Sequence, residues 1–150
     1  MNLVEEIAPG LSGLETLKAL IAAGRRPPIG QTLDFDLTDV GEGWAVFTST
    51  PGLAAYNPIG TVHGGYAATL LDSACGCAVH SKLSATQAYT TLELKVAYHK
   101  AIKASTGTLR AEGHVVSFGR RAAFAEASLK DGDGRLYATA TSTLLVMERP

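Results

Sequence analysis

At 150 residues the chain is long enough to bury one real core and too short for two ordinary domains. A single unit over 1–150 is therefore expected, with 1–30 as a helical extension ahead of its body. Hydrophobic residues make up 46% and charged residues 18%, apolar enough that part of the surface is expected to meet another subunit. A formal net charge of -1 excludes the global basic footprint of a nucleic-acid or anionic-membrane binder, so any anionic ligand must be met by local Arg or Lys.

Apolar stretches are interrupted well before the ~20 residues of a membrane span. The first residues carry Glu5 and Glu6 where an export signal carries basic residues, and a cytoplasmic protein is the expectation. Cys75 and Cys77 fit neither a disulfide framework nor a CxxC pair, and read as small packing residues. His63, His80, His99 and His114 lack ligand spacing, so neither a metal nor a separate cofactor is expected.

In chain order, Leu14, Leu17, Leu20 and Ile21 share one helical face within Ser12 to Ala23, which Gly24 and Pro27-Pro28 bring to an end. From Gln31 to Val40, Leu33, Phe35 and Leu37 alternate with polar residues, the period of a strand. Gly41 and Gly43 allow a tight turn into Trp44 to Thr50, which predicts a hairpin. Pro51 to Val62 reads as an irregular loop leading to His63-Gly64-Gly65.

Tyr66 to Leu83 is too long for a strand and apolar nearly all round, with one acid, Asp72, near its middle; this predicts an enclosed helix. Ala88 to His99 alternates Thr90, Leu92, Leu94, Val96 and Tyr98 against Thr91, Glu93, Lys95 and Ala97, a strand. Thr106 to Ser117, Arg120 to Lys130 and Arg135 to Met147 predict three more, parted by Phe118-Gly119 and Asp131-Gly-Asp-Gly134. The sum is α+β: an antiparallel sheet of five or six strands wrapped around one central helix, with a short N-terminal helix. Such a sheet leaves edges that a second copy can cover.

Two features carry chemistry. Asp72 is a carboxylate on the most apolar helix, flanked at one turn's distance by Ala68, Thr69, Cys75 and Gly76, none of which is charged. Gly64 and Gly65 sit at the start of that helix, where free amides and the dipole attract an oxyanion and no Cβ blocks a carbonyl's approach. Eight residues at ~1.5 Å each put Gly64 and Asp72 ~12 Å apart along the axis, too far to flank one carbon in a single chain. Two such helices running antiparallel across a two-fold axis bring Gly64 of one copy to Asp72 of the other.

The run Asn57-Pro-Ile-Gly-Thr-Val-His-Gly-Gly-Tyr-Ala-Ala-Thr-Leu-Leu-Asp72 resembles the motif of the phenylacetate-pathway (PaaI-like) hotdog thioesterases, and the likeness spans roughly Leu33 to Met147. HGG followed by Asp nine residues after the His, in this order of elements, is far more specific than either part. The resemblance implies the hotdog fold, hydrolysis of acyl-CoA thioesters, and dimers that pair into tetramers. It implies Gly64 polarising the carbonyl, Asp72 as base or nucleophile, Asn57 orienting substrate or water, His63 fixing the loop and Thr91 holding water. Coenzyme A, as part of the substrate, calls for cations, and Arg120, Arg121 and Lys100 are the candidates, with Gly65 and Tyr66 also against the substrate.

A serine or cysteine hydrolase lacks its elbow motif and base here. A hotdog hydratase or dehydratase, or a non-catalytic acyl-CoA binding protein, are the alternatives to a thioesterase acting on an aryl or medium-chain acyl group.

Overall fold

A computed structural model describes residues 2–7 and 9–149 of the chain. Three short helices lead: α1 (Leu3–Ile7), α2 (Gly13–Ala22) and α3 (Pro28–Leu33). Ser12 and Glu15 cap α2 reciprocally, side chain to backbone in both directions, and fix its start. Leu17 then seals a small cluster with Val40 and Ala45 of the first hairpin.

The strand expected from Gln31 begins only at Phe35, and this is a correction to the sequence reading. Pro28 at the first helical position favours a helical turn, and α3 ends on Asp34 in the left-handed region, φ 53°. Leu33 thus belongs to a helix, and its apparent alternation with Phe35 and Leu37 straddles two elements.

The hairpin β1 (Phe35–Gly41) and β2 (Trp44–Ser49) is followed by helix α4 (Gly64–His80) and strands β3 (Gln87–Tyr98), β4 (Leu109–Phe118), β5 (Ala122–Asp131) and β6 (Leu136–Glu148). All strands pair antiparallel in one sheet, in the order β1-β2-β4-β5-β6-β3. After β2 the chain crosses the sheet as α4, forms the far edge as β3, and returns to insert β4 beside β2. The helix therefore lies across the concave face and touches every strand.

Its buried side carries Leu70, Leu71, Ala74, Cys75, Ala78 and Val79 into the main core. Each buried Leu or Val contributes about 1.5–3 kcal/mol relative to exposure. Helix and sheet meet backbone to side at Gly113, where a Cβ would lie 2.3 Å from the Ala74 carbonyl oxygen. Ser81 fastens the other end of α4, its hydroxyl donating to the Ala78 carbonyl at 2.6 Å and accepting the Gly43 N–H at 2.8 Å.

One side of α4 stays uncovered within a single chain: Gly65, Ala68, Thr69, Asp72 and Ser73, at helical spacing, are half-buried or exposed. Among the described residues, the neighbouring strand β3 has no partner on its outer edge. No helix among the described residues is long and apolar enough to cross a membrane.

The alternation expected for β3 breaks at one place. Thr91 pairs with Leu144 and Glu93 with Thr143, so Leu92 is an extra residue in a β-bulge. Before the bulge the odd positions Tyr89 and Thr91 face α4; after it the even positions Leu94, Val96 and Tyr98 do. Thr91 and Tyr98, assigned to opposite faces by strict alternation, thus share one.

Candidate active site

The start of α4 is built by His63. Its backbone is extended, and its Nδ1 accepts the Gly65 N–H at 2.8 Å, so the imidazole caps its own helix. Of the two glycine amides, Gly65 is therefore engaged, while the Gly64 N–H has no partner among the described residues. The positive end of a helix and one free N–H remain together at Gly64.

Tyr98 sits over this point, donating its hydroxyl to the Gly64 carbonyl at 2.6 Å. Burial pushes its phenol above the ordinary value, which keeps it a donor. A Cβ on Gly64 would stand 3.1 Å from the Tyr98 ring and hydroxyl, so glycine is what lets the strand residue close down. A cavity of about 340 Å³ opens here, lined by Asn57, Gly64, Ala67, Tyr98 and Lys100 among others.

Asn57 lines that cavity, but its side chain is committed to its own loop. Nδ2 donates to Thr61 Oγ1 at 2.9 Å and Oδ1 accepts the Ile59 N–H at 3.0 Å, an Asx-type turn that shapes the approach to His63. His63 N–H donates to the Ala55 carbonyl, and Val62 N–H to Ile102, tying the loop to the segment after β3.

At the middle of α4, half-buried Asp72 accepts the Thr91 hydroxyl on Oδ1 at 3.0 Å. Its Oδ2 has no partner among the described residues, so one oxygen is held and the other is open. Tyr89 lies one step along the same strand face, its hydroxyl 2.7 Å from where a Gly76 Cβ would be. Cys75 and Cys77, on the same helix, are pushed up to about 12 by burial, with Asp72 adding to the effect. Neither thiol is a usable nucleophile at neutral pH.

Gly64 and Asp72 thus form two separate half-sites in one chain, furnished by Tyr98 and Thr91 from opposite ends of one face of β3. Tyr66, expected against the substrate, is corrected to a core residue: it is 6% exposed and its hydroxyl pairs with Ser49, which in turn donates to the Asp34 carbonyl. Gly65 is exposed beside the half-site.

Arg120 and Arg121 are exposed on the β4–β5 turn. The register Ala122 to Leu145 to Thr90 sets them at the Asp72 end of β3, whereas Lys100 follows Tyr98 at the Gly64 end. The Lys100 ammonium lies 5.7 Å from the Tyr137 ring centroid. No group of three or more His, Cys, Asp or Glu able to hold a metal occurs among the described residues. Tyr98 escaped the sequence reading because nothing but its place at the end of an alternating run marks it.

Comparison with known proteins gives this arrangement a context. The model of the thioesterase superfamily matches residues 59–138, which include both half-sites. No curated protein matches the chain. Among solved structures, a thioesterase family protein from Silicibacter pomeroyi is 26% identical with a TM-score of 0.80, over 91% of this chain and 99% of that one. The protein smu.793 from Streptococcus mutans, solved bound to acetyl-CoA, is 28% identical with a TM-score of 0.69, over 77% and 91% of the two chains. The PaaI protein of E. coli, from the phenylacetic acid degradation operon, is 20% identical with a TM-score of 0.77, over 89% and 96%. The common architecture is the hotdog fold.

Proposed function

The chain belongs to the thioesterase superfamily, and on that premise we propose that it hydrolyses an acyl-CoA thioester, aryl or medium-chain, to the free acid and coenzyme A. The observation that carries this is the pair of half-sites: an unengaged Gly64 N–H at a helix start, and Asp72 with one oxygen held by Thr91 and the other open. The acetyl-CoA bound to smu.793 supports a coenzyme A thioester as the substrate class.

The ~12 Å between Gly64 and Asp72 along α4 requires two copies for one site. The free edge of β3, the uncovered strip of α4 beside it and Leu92, 59% exposed, favour pairing there. In an antiparallel pair, Gly64 of each protomer faces Asp72 of the partner subunit, giving two equivalent sites. Exposed Val116 and Phe124, on neighbouring strands, offer apolar surface for dimers to pair again. The reading puts the protein where acyl-CoA is made and used, the cytoplasm.

The thioester carbonyl oxygen accepts from the Gly64 N–H, and charge building on it as the carbon becomes tetrahedral is met by the amide and the helix dipole. Asp72 either takes a proton from the attacking water, or attacks the carbon itself through Oδ2 to give a mixed anhydride that water then hydrolyses to the free acid and the carboxylate. The coenzyme A sulfur leaves as a thiolate, whose ordinary pKa of about 8.5 lets it depart without a strong acid.

Thiol release from a panel of acyl-CoAs tests this, with wild type beside Asp72→Asn. The variant should lose about 10²–10⁴-fold in rate while keeping its fold and assembly. A wild type that frees no coenzyme A, or adds water to the acyl chain instead, overturns the reading.

A further inference from the structure

The cavity at Gly64 does not end there. Lys100 and Ala101 also line a larger groove of about 770 Å³, bounded by Lys103, Ser105 and Thr106 on one side and by the β5–β6 turn with Asp131 and Arg135 on the other. The segment between the two is anchored: the His99 and Lys100 N–H groups both donate to the Tyr137 carbonyl, at 2.8 and 3.2 Å.

The groove's charges are unevenly committed. Asp131 accepts the Asp133 and Arg135 backbone N–H groups at 2.9 Å each and the Tyr137 hydroxyl at 3.2 Å. Those donors, the Arg135 amide first, hold its carboxyl below the usual range, so its charge is spent within the turn. The Arg135 guanidinium is only loosely attached, 3.5 Å from Asp133 and 3.9 Å from Asp131, with its side chain 63% exposed. Lys100 and Lys103 form no ion pair among the described residues. Three cations that can turn toward a ligand therefore face two carboxylates, one of them fully occupied.

We infer that the nucleotide end of coenzyme A lies in this groove, its phosphates met by Lys100, Lys103 and Arg135 of the protomer whose Gly64 holds the thioester. The inference rests on the thioesterase reading for its ligand. It follows from continuity: a thioester at Gly64 leads past Lys100 and Ala101, which line both that cavity and the groove. The Arg120–Arg121 pair is the rival: it stands at the opposite end of β5 and β6 from the groove, and reaches this site only from the protomer that supplies Asp72.

The test is the double variant Lys103→Gln/Arg135→Gln, assayed on an acyl-CoA and on the same acyl group carried by N-acetylcysteamine, which lacks the nucleotide. Loss of ground-state phosphate contacts should raise KM for the acyl-CoA about tenfold with kcat unchanged, and leave the short thioester unaffected. Calorimetric binding of free coenzyme A should weaken in parallel. An unchanged KM and affinity overturns the inference, as does an equal loss on both substrates. A KM rise in Arg120→Gln/Arg121→Gln with none in the groove variant would assign the nucleotide to the protomer that supplies Asp72 and overturn it too. If wild type binds coenzyme A, loses that affinity in the groove variant and yet cleaves neither thioester, the site stands and the hydrolase reading falls; if it does not bind coenzyme A, both fall.

Discussion

Replacing Thr91 with Val keeps the β-branched shape that suits a strand and removes the hydroxyl that donates to Asp72 Oδ1 at 3.0 Å. A hydrogen bond to a charged acceptor contributes about 1.5–3 kcal/mol. Thr91 touches the carboxylate in a half-buried setting where water replaces it poorly, so most of that range is expected as a higher barrier. At ~1.36 kcal/mol per decade, kcat should fall roughly 10- to 150-fold. KM should change little, because the lost contact is to Asp72 and not to the acyl group. The measurement is acyl-CoA hydrolysis followed by free thiol for wild type, Thr91→Val, Thr91→Ser and Asp72→Asn, with melting curves run in parallel. Thr91→Ser keeps the donor and should recover most of the rate. Wild-type kcat in Thr91→Val beside an inactive Asp72→Asn would refute the positioning argument, as would a Ser variant no better than the Val one.

Gly113→Ala should lower the melting temperature by roughly 2–12 °C, since overpacking costs about 1–3 kcal/mol and the new methyl would meet the Ala74 and Cys75 main chain at 2.3 and 2.9 Å; an unchanged melt would mean that α4 is free to lift. Burial lowers His80 to about 4, so the unfolded chain takes up its proton first as pH falls through 6.5, and stability drops until the folded value is reached. Between pH 7.5 and pH 5 this amounts to about 2 kcal/mol, read as a shift in urea midpoint that His80→Gln should largely remove. With both thiols raised to about 12, a chromogenic disulfide reagent at pH 8 should label neither cysteine until urea unfolds the protein, and thiol alkylation should leave hydrolysis untouched. Rapid labelling of the native protein would contradict the burial of Cys75 and the raised thiol of half-buried Cys77.

The sequence was most legible where period and length agreed. Helix α4 and the strands after it emerge within a few residues of their bounds, because long alternating runs and one long apolar run leave little choice. The stretch around Leu33 misled because a helical turn opened by Pro28 happens to place Leu33 and Phe35 two apart, as a strand would. Gly64 and Asp72 stood out as chemical oddities in an apolar context, and the helix rise alone set them too far apart for one site. Thr91 was different: family resemblance marked it as holding water, while its bond to Asp72 is visible only in the structure, since plain alternation turns Thr91 away from the helix. Tyr66 misled for the opposite reason, as proximity to the HGG run says nothing about which face of α4 a residue takes.

From Thr91 to Tyr98 the backbone takes an odd number of steps, and an unbroken pleat would point the two side chains in opposite directions. The unmatched Leu92 absorbs the mismatch. Trimming that single codon would leave composition and hydrophobic character almost intact, yet one end of the helix would lose its furnishing, either the threonine or the tyrosine. Chain length in this strand is consequently a functional variable, and pairs of residues are the smallest unit by which it can grow or shrink without unmaking one of the two stations.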